Sequence, residues 1–191
     1  MKWKMPGKKI FLLGYSMGGL TACLLLQKYP GLADYLILDA PFLGLPNQVP
    51  QWQLNLVHFV GSKSGLGAIP VSKMDGDLLC RDKDIVAQFT NDQLAYKGST
   101  TARTASLTTK ALEEASKGVG SMTVPVLALH GTDDRVAPID ATRLFVEKMA
   151  ASDKTFKPID EGFHNLRYET HKNIKSTYFN IVEEWVDKRI N

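Results

Sequence analysis

The sequence contains only two cysteines, Cys23 and Cys80, in 191 residues. Two thiols are too few for a disulfide framework and are typical of a reducing compartment, although a single bridge between them stays open. The sequence shows neither metal-ligand spacing nor a glycine-rich phosphate loop, so we expect no metal and no cofactor.

A strong excess of one charge is also lacking. The formal net charge is +3, and the basic residues are spread along the chain. A nucleic-acid-binding protein would concentrate them in a patch or stripe, so we expect no nucleic-acid partner.

Long uninterrupted apolar runs are absent as well. The apolar region Ile10–Leu26 is interrupted by Gly14, Ser16, Gly18 and Gly19, which argues against a membrane-spanning helix. The lysines before it imitate a signal peptide, but its unbroken apolar piece is only Ile10–Leu13. We expect a cytoplasmic protein, at most peripherally associated with a membrane.

Four short apolar runs alternate with helical patterns. The runs are typical of buried parallel strands because they are nearly continuous, and they predict an α/β architecture with a parallel sheet. The predicted strands are Lys9–Gly14, Tyr35–Ala40, Val124–His130 and Thr155–Ile159, the last at an edge that tolerates Pro158. The predicted helices are Met17–Lys28, Asp140–Ala150 and Tyr168–Arg189.

Residues 42–122 are too long for a plain crossover and contain their own amphipathic pieces. We therefore expect a core formed by residues 1–41 and 123–191, with a helical cap inserted at 42–122. The apolar residues of this cap have two interpretations. We favour ordinary cap core over an acyl tunnel or a transient contact with a membrane surface for Trp52, Leu54, Leu56, Val57 and Phe59.

The segment Gly14-Tyr15-Ser16-Met17-Gly18 matches the G-x-S-x-G nucleophile elbow, between a predicted strand and a predicted helix. A serine on such a sharp turn leaves no room for neighbouring side chains, which explains Gly14 and Gly18. The helix N-terminus favours developing negative charge at Ser16. The backbone N–H of Met17 then becomes an oxyanion-hole donor.

A serine nucleophile of this type takes its acid and then its base from loops after later strands. Two adjacent aspartates, Asp133 and Asp134, follow the third strand, and we favour Asp134 as the acid because of its position in the turn. Asp133 is expected to cap or solvate the turn.

Among four histidines, His164 follows the fourth strand and is the candidate general base. His130 is expected to pack under the acid loop, His58 lies in the cap, and His171 is placed inside the final helix.

The chain resembles the monoglyceride-lipase-like branch of the α/β-hydrolases, also called serine-aminopeptidase-like lysophospholipases. The matching segments are LLGYSMGG (Leu12–Gly19), LILDAP (Leu36–Pro41), VPVLALHGTDDRVAP (Val124–Pro138) and DEGFHNLRYE (Asp160–Glu169), with weaker matches at Ser72–Leu79 and Asn91–Leu94. Tyr15 replaces the family's usual histidine, and Gln93 replaces a proline. We expect the mechanism to tolerate Tyr15.

The resemblance implies a serine hydrolase that cleaves monoacylglycerol or lysophospholipid esters through an acyl-enzyme, beneath a mobile cap. A peptidase is a less favoured alternative, and an Asp-nucleophile hydrolase of the epoxide or haloalkane type does not fit Ser16. Family members carry further strands before the elbow strand, and a loop there with a second oxyanion donor, worth about 3 kcal/mol. We therefore keep an alternative: a truncated, catalytically impaired fragment or a non-catalytic binding protein whose elbow strand is an exposed edge.

Overall fold

A computed structural model describes residues 7–45, 49–63, 65–73 and 75–190 of the chain. Lys2 and Lys4 of the signal-like start, and Met74 in a weaker family match, lie outside these residues. Strands and helices alternate along the chain, and short 3₁₀ turns connect several of them. In chain order they are β1 (Phe11–Tyr15), α1 (Met17–Lys28), β2 (Tyr35–Asp39), α2 (Gln51–Ser62), β3 (Pro70–Ser72), α3 (Lys83–Asn91), β4 (Thr100–Thr101), α4 (Ala102–Gly118), β5 (Val126–Gly131), α5 (Ile139–Lys148), β6 (Lys154–Ile159) and α6 (Ile174–Ile190).

Among the described residues, the main sheet has four parallel strands in the order β1-β2-β5-β6. The predicted parallel sheet is confirmed, with β6 at one edge and β1 at the other. Side chains of the central strands alternate between two apolar clusters, as the two-residue period of a strand requires. Leu36 and Leu38 of β2 face one cluster, while Ile37 faces the other, so both faces of the sheet are covered at this central strand.

One cluster joins the sheet to α1, α4 and α5, and the other joins it to α6 through Tyr178 and Trp185. Helix α4 packs against α1, where the Gln27 side chain donates a hydrogen bond of 2.8 Å to the Ala115 carbonyl. Leu112 and Val119 belong to the same apolar cluster as α1. The later part of α4 thus joins the layer that covers the sheet.

Two features of the fold differ from the prediction. Helix α6 starts at Ile174 and not at Tyr168, because Lys172 and Asn173 have positive φ angles of 44° and 60°. His171 therefore lies in a 3₁₀ turn before the helix and not inside it. Segment 42–122 also contains a small antiparallel pair, β3 with β4, in addition to its predicted helices.

Three of the five apolar α2 side chains that the sequence assigned to a cap core are exposed, while Leu54 and Val57 are partly buried. Trp52, Leu56 and Phe59 are 64%, 54% and 59% exposed, so that interpretation is wrong for these three residues. Both cysteines are free and buried. Within the described residues, no helix has the length and hydropathy needed to cross a bilayer.

Candidate active site

Ser16 lies on the turn between β1 and α1 with φ 50° and ψ −122°, a backbone conformation that side chains disfavour. Two hydrogen bonds hold this strained turn: the Ser16 N–H donates to the Asp39 carbonyl at 3.0 Å, and the Phe42 N–H donates to the Ser16 carbonyl at 2.9 Å. The end of β2 and the segment just after it therefore hold the backbone of Ser16 in place.

The glycines around Ser16 have unequal roles. A Cβ at Gly14 would lie 2.6 Å from the Gly18 carbonyl oxygen, and one at Gly19 would lie 2.5 Å from Pro41 Cβ. By contrast, a Cβ at Gly18 would meet no described atom within 4 Å, apart from its chain neighbours and the backbone of its own helix. The steric reason predicted for Gly18 is thus wrong within the described residues, and the close packing falls on Gly14 and Gly19.

His164 lies in the loop after β6 and is almost completely buried. Its Nε2 atom is 2.8 Å from Ser16 Oγ, and its Nδ1 atom is 2.7 Å from Asp134 Oδ2. The structure therefore brings the three residues that the sequence singled out into one hydrogen-bonded row. A histidine with a carboxylate at Nδ1 keeps its Nε2 lone pair free for the serine proton.

Asp134 lies in the loop after β5, and its side chain is fully buried. Its Oδ1 atom accepts hydrogen bonds from the Val136 and Ala137 N–H groups, at 2.8 and 3.0 Å. Burial raises the pKa of this carboxyl, but hydrogen bonds from His130 and His164 and the backbone outweigh it, so the pKa falls well below its usual range. Asp134 therefore stays charged at neutral pH.

The neighbouring Asp133 does not approach His164 in this way. Its side chain is about half exposed and binds Arg81, with 2.9 Å between Arg81 Nη2 and Asp133 Oδ2. Of the two expected roles, capping or solvating the turn, the half-exposed side chain fits the second, and it also forms an ion pair with a distant segment.

His130, at the end of β5, contacts the acid directly: its Nε2 atom lies 3.0 Å from Asp134 Oδ2 and 3.0 Å from the Ala137 carbonyl. Both oxygens accept, so we assign the proton to Nε2, and Nδ1 then accepts from the Thr142 hydroxyl at 2.9 Å. This confirms its predicted place under the acid loop. The other two histidines lie elsewhere, His58 beside Ser106 and His171 beside Glu161.

A buried charged cluster beneath the serine was missed by the sequence interpretation. Asp39 Oδ2 accepts a hydrogen bond of 3.2 Å from the Tyr178 hydroxyl. The same oxygen lies 2.9 Å from Arg167 Nε in an ion pair whose geometry is poorly aligned for a hydrogen bond. Burial raises the pKa of Asp39 to about 6, although Arg167 and Tyr178 oppose the shift. The sequence signal that could have pointed to this cluster is the charged Asp39 at the end of the otherwise apolar run YLILD.

Tyr15 connects this cluster to the base. The Arg167 guanidinium lies 4.7 Å from the centre of the Tyr15 ring, and that ring lies 5.1 Å from the His164 ring. The residue that departs from the family pattern therefore packs against the predicted base.

Met17 begins α1, where the first N–H groups of a helix have no partner within the helix. Its side chain is about half exposed. No three His, Cys, Asp or Glu side chains in the described parts of the chain come together as they would to hold a metal ion.

A parallel sheet between helical layers, with Ser16, Asp134 and His164 following β1, β5 and β6 in that order, is typical of an α/β-hydrolase fold. Solved structures share this fold. A monoacylglycerol lipase from Paleococcus ferrophilus gives a TM-score of 0.82 at 24% identity, over 94% of this chain and 68% of that chain. A soluble variant of monoglyceride lipase from Saccharomyces cerevisiae, in complex with a substrate analog, gives 0.80 at 22%, over 95% and 62%.

The chain belongs to the family described as serine aminopeptidase, S33, which matches residues 1–171. Monoacylglycerol lipase from Mycolicibacterium smegmatis is 26% identical over 85% of this chain and 58% of that protein. Monoglyceride lipase from Homo sapiens is 27% identical, over 99% and 62%. Caffeoylshikimate esterase from Arabidopsis thaliana is 26% identical, over 94% and 55%. The chain thus spans little more than half of each relative, and the resemblance to monoglyceride lipases is confirmed.

Proposed function

We propose that the chain is a serine hydrolase that cleaves carboxylic esters of the monoacylglycerol or lysophospholipid type through an acyl-enzyme. The observation that carries this proposal is the hydrogen-bonded row from Asp134 through His164 to Ser16. Similarity to several monoglyceride lipases, together with the family match, supports the ester substrate.

In the first half of the proposed reaction, His164 Nε2 takes the proton of Ser16 as Oγ attacks the ester carbonyl carbon. Negative charge develops on the carbonyl oxygen, and the Met17 N–H donates a hydrogen bond to it. The imidazolium of His164, stabilised by the charged Asp134, then donates its proton to the leaving glycerol oxygen. The C–O ester bond breaks, and the acyl group stays on Ser16 Oγ.

In the second half, water takes the place of the alcohol. His164 accepts one water proton as the oxygen attacks the acyl carbon, and the same proton then returns to Ser16 Oγ. A fatty acid leaves, and the resting site is restored. The low pKa of Asp134 supports this role, because a charged carboxylate must face the imidazolium at both steps.

We further propose that residues 42–122 act as a cap and that α2 contacts lipid surfaces transiently. Trp52, Leu56 and Phe59 follow a spacing of four and three residues, so they share one helix face, and all three are exposed. Sedimentation with phosphatidylcholine vesicles should fall in Trp52→Ala but not in Leu144→Ala, a matched exposed residue of α5. Equal sedimentation of both variants would refute this contact.

Hydrolysis assays with a monoacylglycerol, a lysophosphatidylcholine and a p-nitrophenyl ester test the proposed reaction. We expect fatty acid release from the monoacylglycerol and an acyl adduct on the acid-quenched chain by intact mass. Both should vanish in Ser16→Ala and persist in Ser176→Ala, whose hydroxyl lies on α6 and bonds to the Asn173 carbonyl. Release that survives Ser16→Ala would refute the proposal.

A further inference from the structure

Arg81 belongs to the segment between β2 and β5, yet its guanidinium reaches both loops of the candidate site. One nitrogen pairs with Asp133 Oδ2 at 2.9 Å in the acid loop. The other donates to the Glu161 carbonyl in the base loop and lies 3.7 Å from the buried Glu169 carboxylate. A single side chain therefore bridges the two loops.

The same guanidinium stacks on the base loop. Its central carbon lies 3.9 Å from the centre of the Phe163 ring. Phe163 precedes His164, and Asp133 precedes Asp134, so Arg81 holds the neighbour of each residue. A planar guanidinium can stack and bond at its edge simultaneously, whereas an ammonium group cannot.

The backbone around Arg81 is itself fixed to the base loop. The Asn165 N–H donates to the Leu79 carbonyl at 2.8 Å, directly after His164. The Thr170 hydroxyl donates to Asp82 Oδ2 at 3.1 Å. Arg81 is thus presented from a segment that is tied to the base loop on both sides.

The two loops also contact each other. The Thr132 N–H donates to the Ile159 carbonyl and the Asp133 N–H donates to the Gly162 carbonyl, both at 3.0 Å. These bonds fix the start of each loop, but they lie before His164 and Asp134. Arg81 adds contacts with Asp133 and Phe163, the residues directly before Asp134 and His164.

We propose that Arg81 is a positioning residue: its guanidinium holds Asp133 and Phe163, and thereby sets the distance between Asp134 and His164. This inference rests on the proposed function, because it assigns Arg81 to the same triad. It also links the triad to segment 42–122, which contains Arg81.

The test compares Arg81→Ala and Arg81→Lys with Lys83→Ala, a matched control. Lys83 is also cationic and two residues away, but it is exposed and pairs only with Asp77 in the described part of the chain, at 2.9 Å. The first readout is the rate of labelling by a fluorophosphonate. A displacement of about 1 Å costs roughly a hundredfold in rate, so we expect Arg81→Ala to label about tenfold to a hundredfold more slowly.

Arg81→Lys should also label slowly, because it keeps the charge but loses the stack, while Lys83→Ala should label at the parent rate. Low millimolar guanidinium should partly restore Arg81→Ala and leave the parent unchanged. Arg81→Lys also keeps the test valid if thermal unfolding shows that Arg81→Ala is unfolded. Labelling of folded Arg81→Lys at the parent rate would overturn the inference.

A second readout does not require reaction. The far-downfield proton resonance of His164 Nδ1–H reports its hydrogen bond to Asp134. We expect it to be sharp in the parent and in Lys83→Ala, and shifted or broadened in folded Arg81→Lys. If the parent is not labelled, the proposed function fails, but the resonance still tests whether Arg81 positions His164 against Asp134. An unchanged signal in folded Arg81→Lys would overturn the positioning role.

Discussion

Replacing Asp134 with Asn tests how the acid directs the base. The Asp134 Oδ1 atom accepts two backbone N–H groups, from Val136 and Ala137. An asparagine at this position must keep its oxygen there, which turns its NH₂ group toward His164 Nδ1. The imidazole would then carry its proton on Nε2, facing Ser16, and could not accept the serine proton.

This change of tautomer determines how much kcat should fall. Loss of the correct tautomer in a serine triad lowers kcat by about 10⁴, which corresponds to about 5 kcal/mol of transition-state stabilisation. Asp133→Asn is the matched control: the same chemical change one residue earlier, at a half-exposed side chain whose partner Arg81 can still donate to the amide oxygen. We expect it to retain activity within about tenfold.

The assay is steady-state hydrolysis of a p-nitrophenyl ester by both variants, with stability followed by urea unfolding. The pKa of Asp134 is lowered from 3.8 in the folded chain, so its charge stabilises the fold above about pH 4, and this stabilisation is lost as the pH falls. Folded Asp134→Asn that keeps its activity, or an Asp133→Asn that loses as much, would refute the reasoning.

Three further predictions concern the surroundings of the site. Gly14→Ala should abolish fluorophosphonate labelling of Ser16 or unfold the chain, because its Cβ overlaps the Gly18 carbonyl. Gly18→Ala, whose Cβ points into open space on α1, should keep the labelling and change the free energy of unfolding by no more than about 1 kcal/mol. Equal loss of labelling in both variants would contradict this. The pKa of Asp39 is raised from 3.8 to about 6, so between about pH 4 and 6 this carboxyl binds a proton in the folded state, and the free energy of unfolding falls by on the order of 3 kcal/mol as the pH rises. Urea titrations of Asp39→Asn should no longer show that fall. The same dependence of the free energy of unfolding on pH in the variant would count against this prediction. His130→Ala leaves the Thr142 hydroxyl without its partner and should lower the free energy of unfolding by about 1–3 kcal/mol, which a variant as stable as the parent would disprove.

Much of the fold could be predicted because its signals are local. Helix α1 has its predicted bounds, since the elbow glycines fix its start and Tyr29-Pro30 fixes its end. The β2 run is confirmed to within one residue. The β3–β4 pair was not predicted, because two or three ordinary residues per strand carry no periodicity. The late start of α6 depends on positive φ at Lys172 and Asn173, which neither residue type signals strongly.

The candidate site also has residues that the sequence predicted and residues that it did not. Ser16, Asp134 and His164 were predicted from their order and their places after strands, and the structure brings them within hydrogen-bonding distance. Their catalytic roles remain predictions. Arg81 and the contacts of Asp39 were not predicted: no motif or position after a predicted strand marks Arg81, and the sequence does not show which residues Asp39 contacts. The triad residues are separated by comparable distances along the chain, but a motif and the strand order marked each of them.

Labelling of the chain by a fluorophosphonate, followed by peptide mapping, tests the central claim most directly. The reagent reacts with a serine only when a base activates it, and needs neither a specific lipid nor a membrane. We predict one adduct per chain, on Ser16, that is absent from Ser16→Ala and strongly slowed in Asp134→Asn. A folded chain that gains no adduct, or an adduct at another residue that survives Ser16→Ala, would contradict the account.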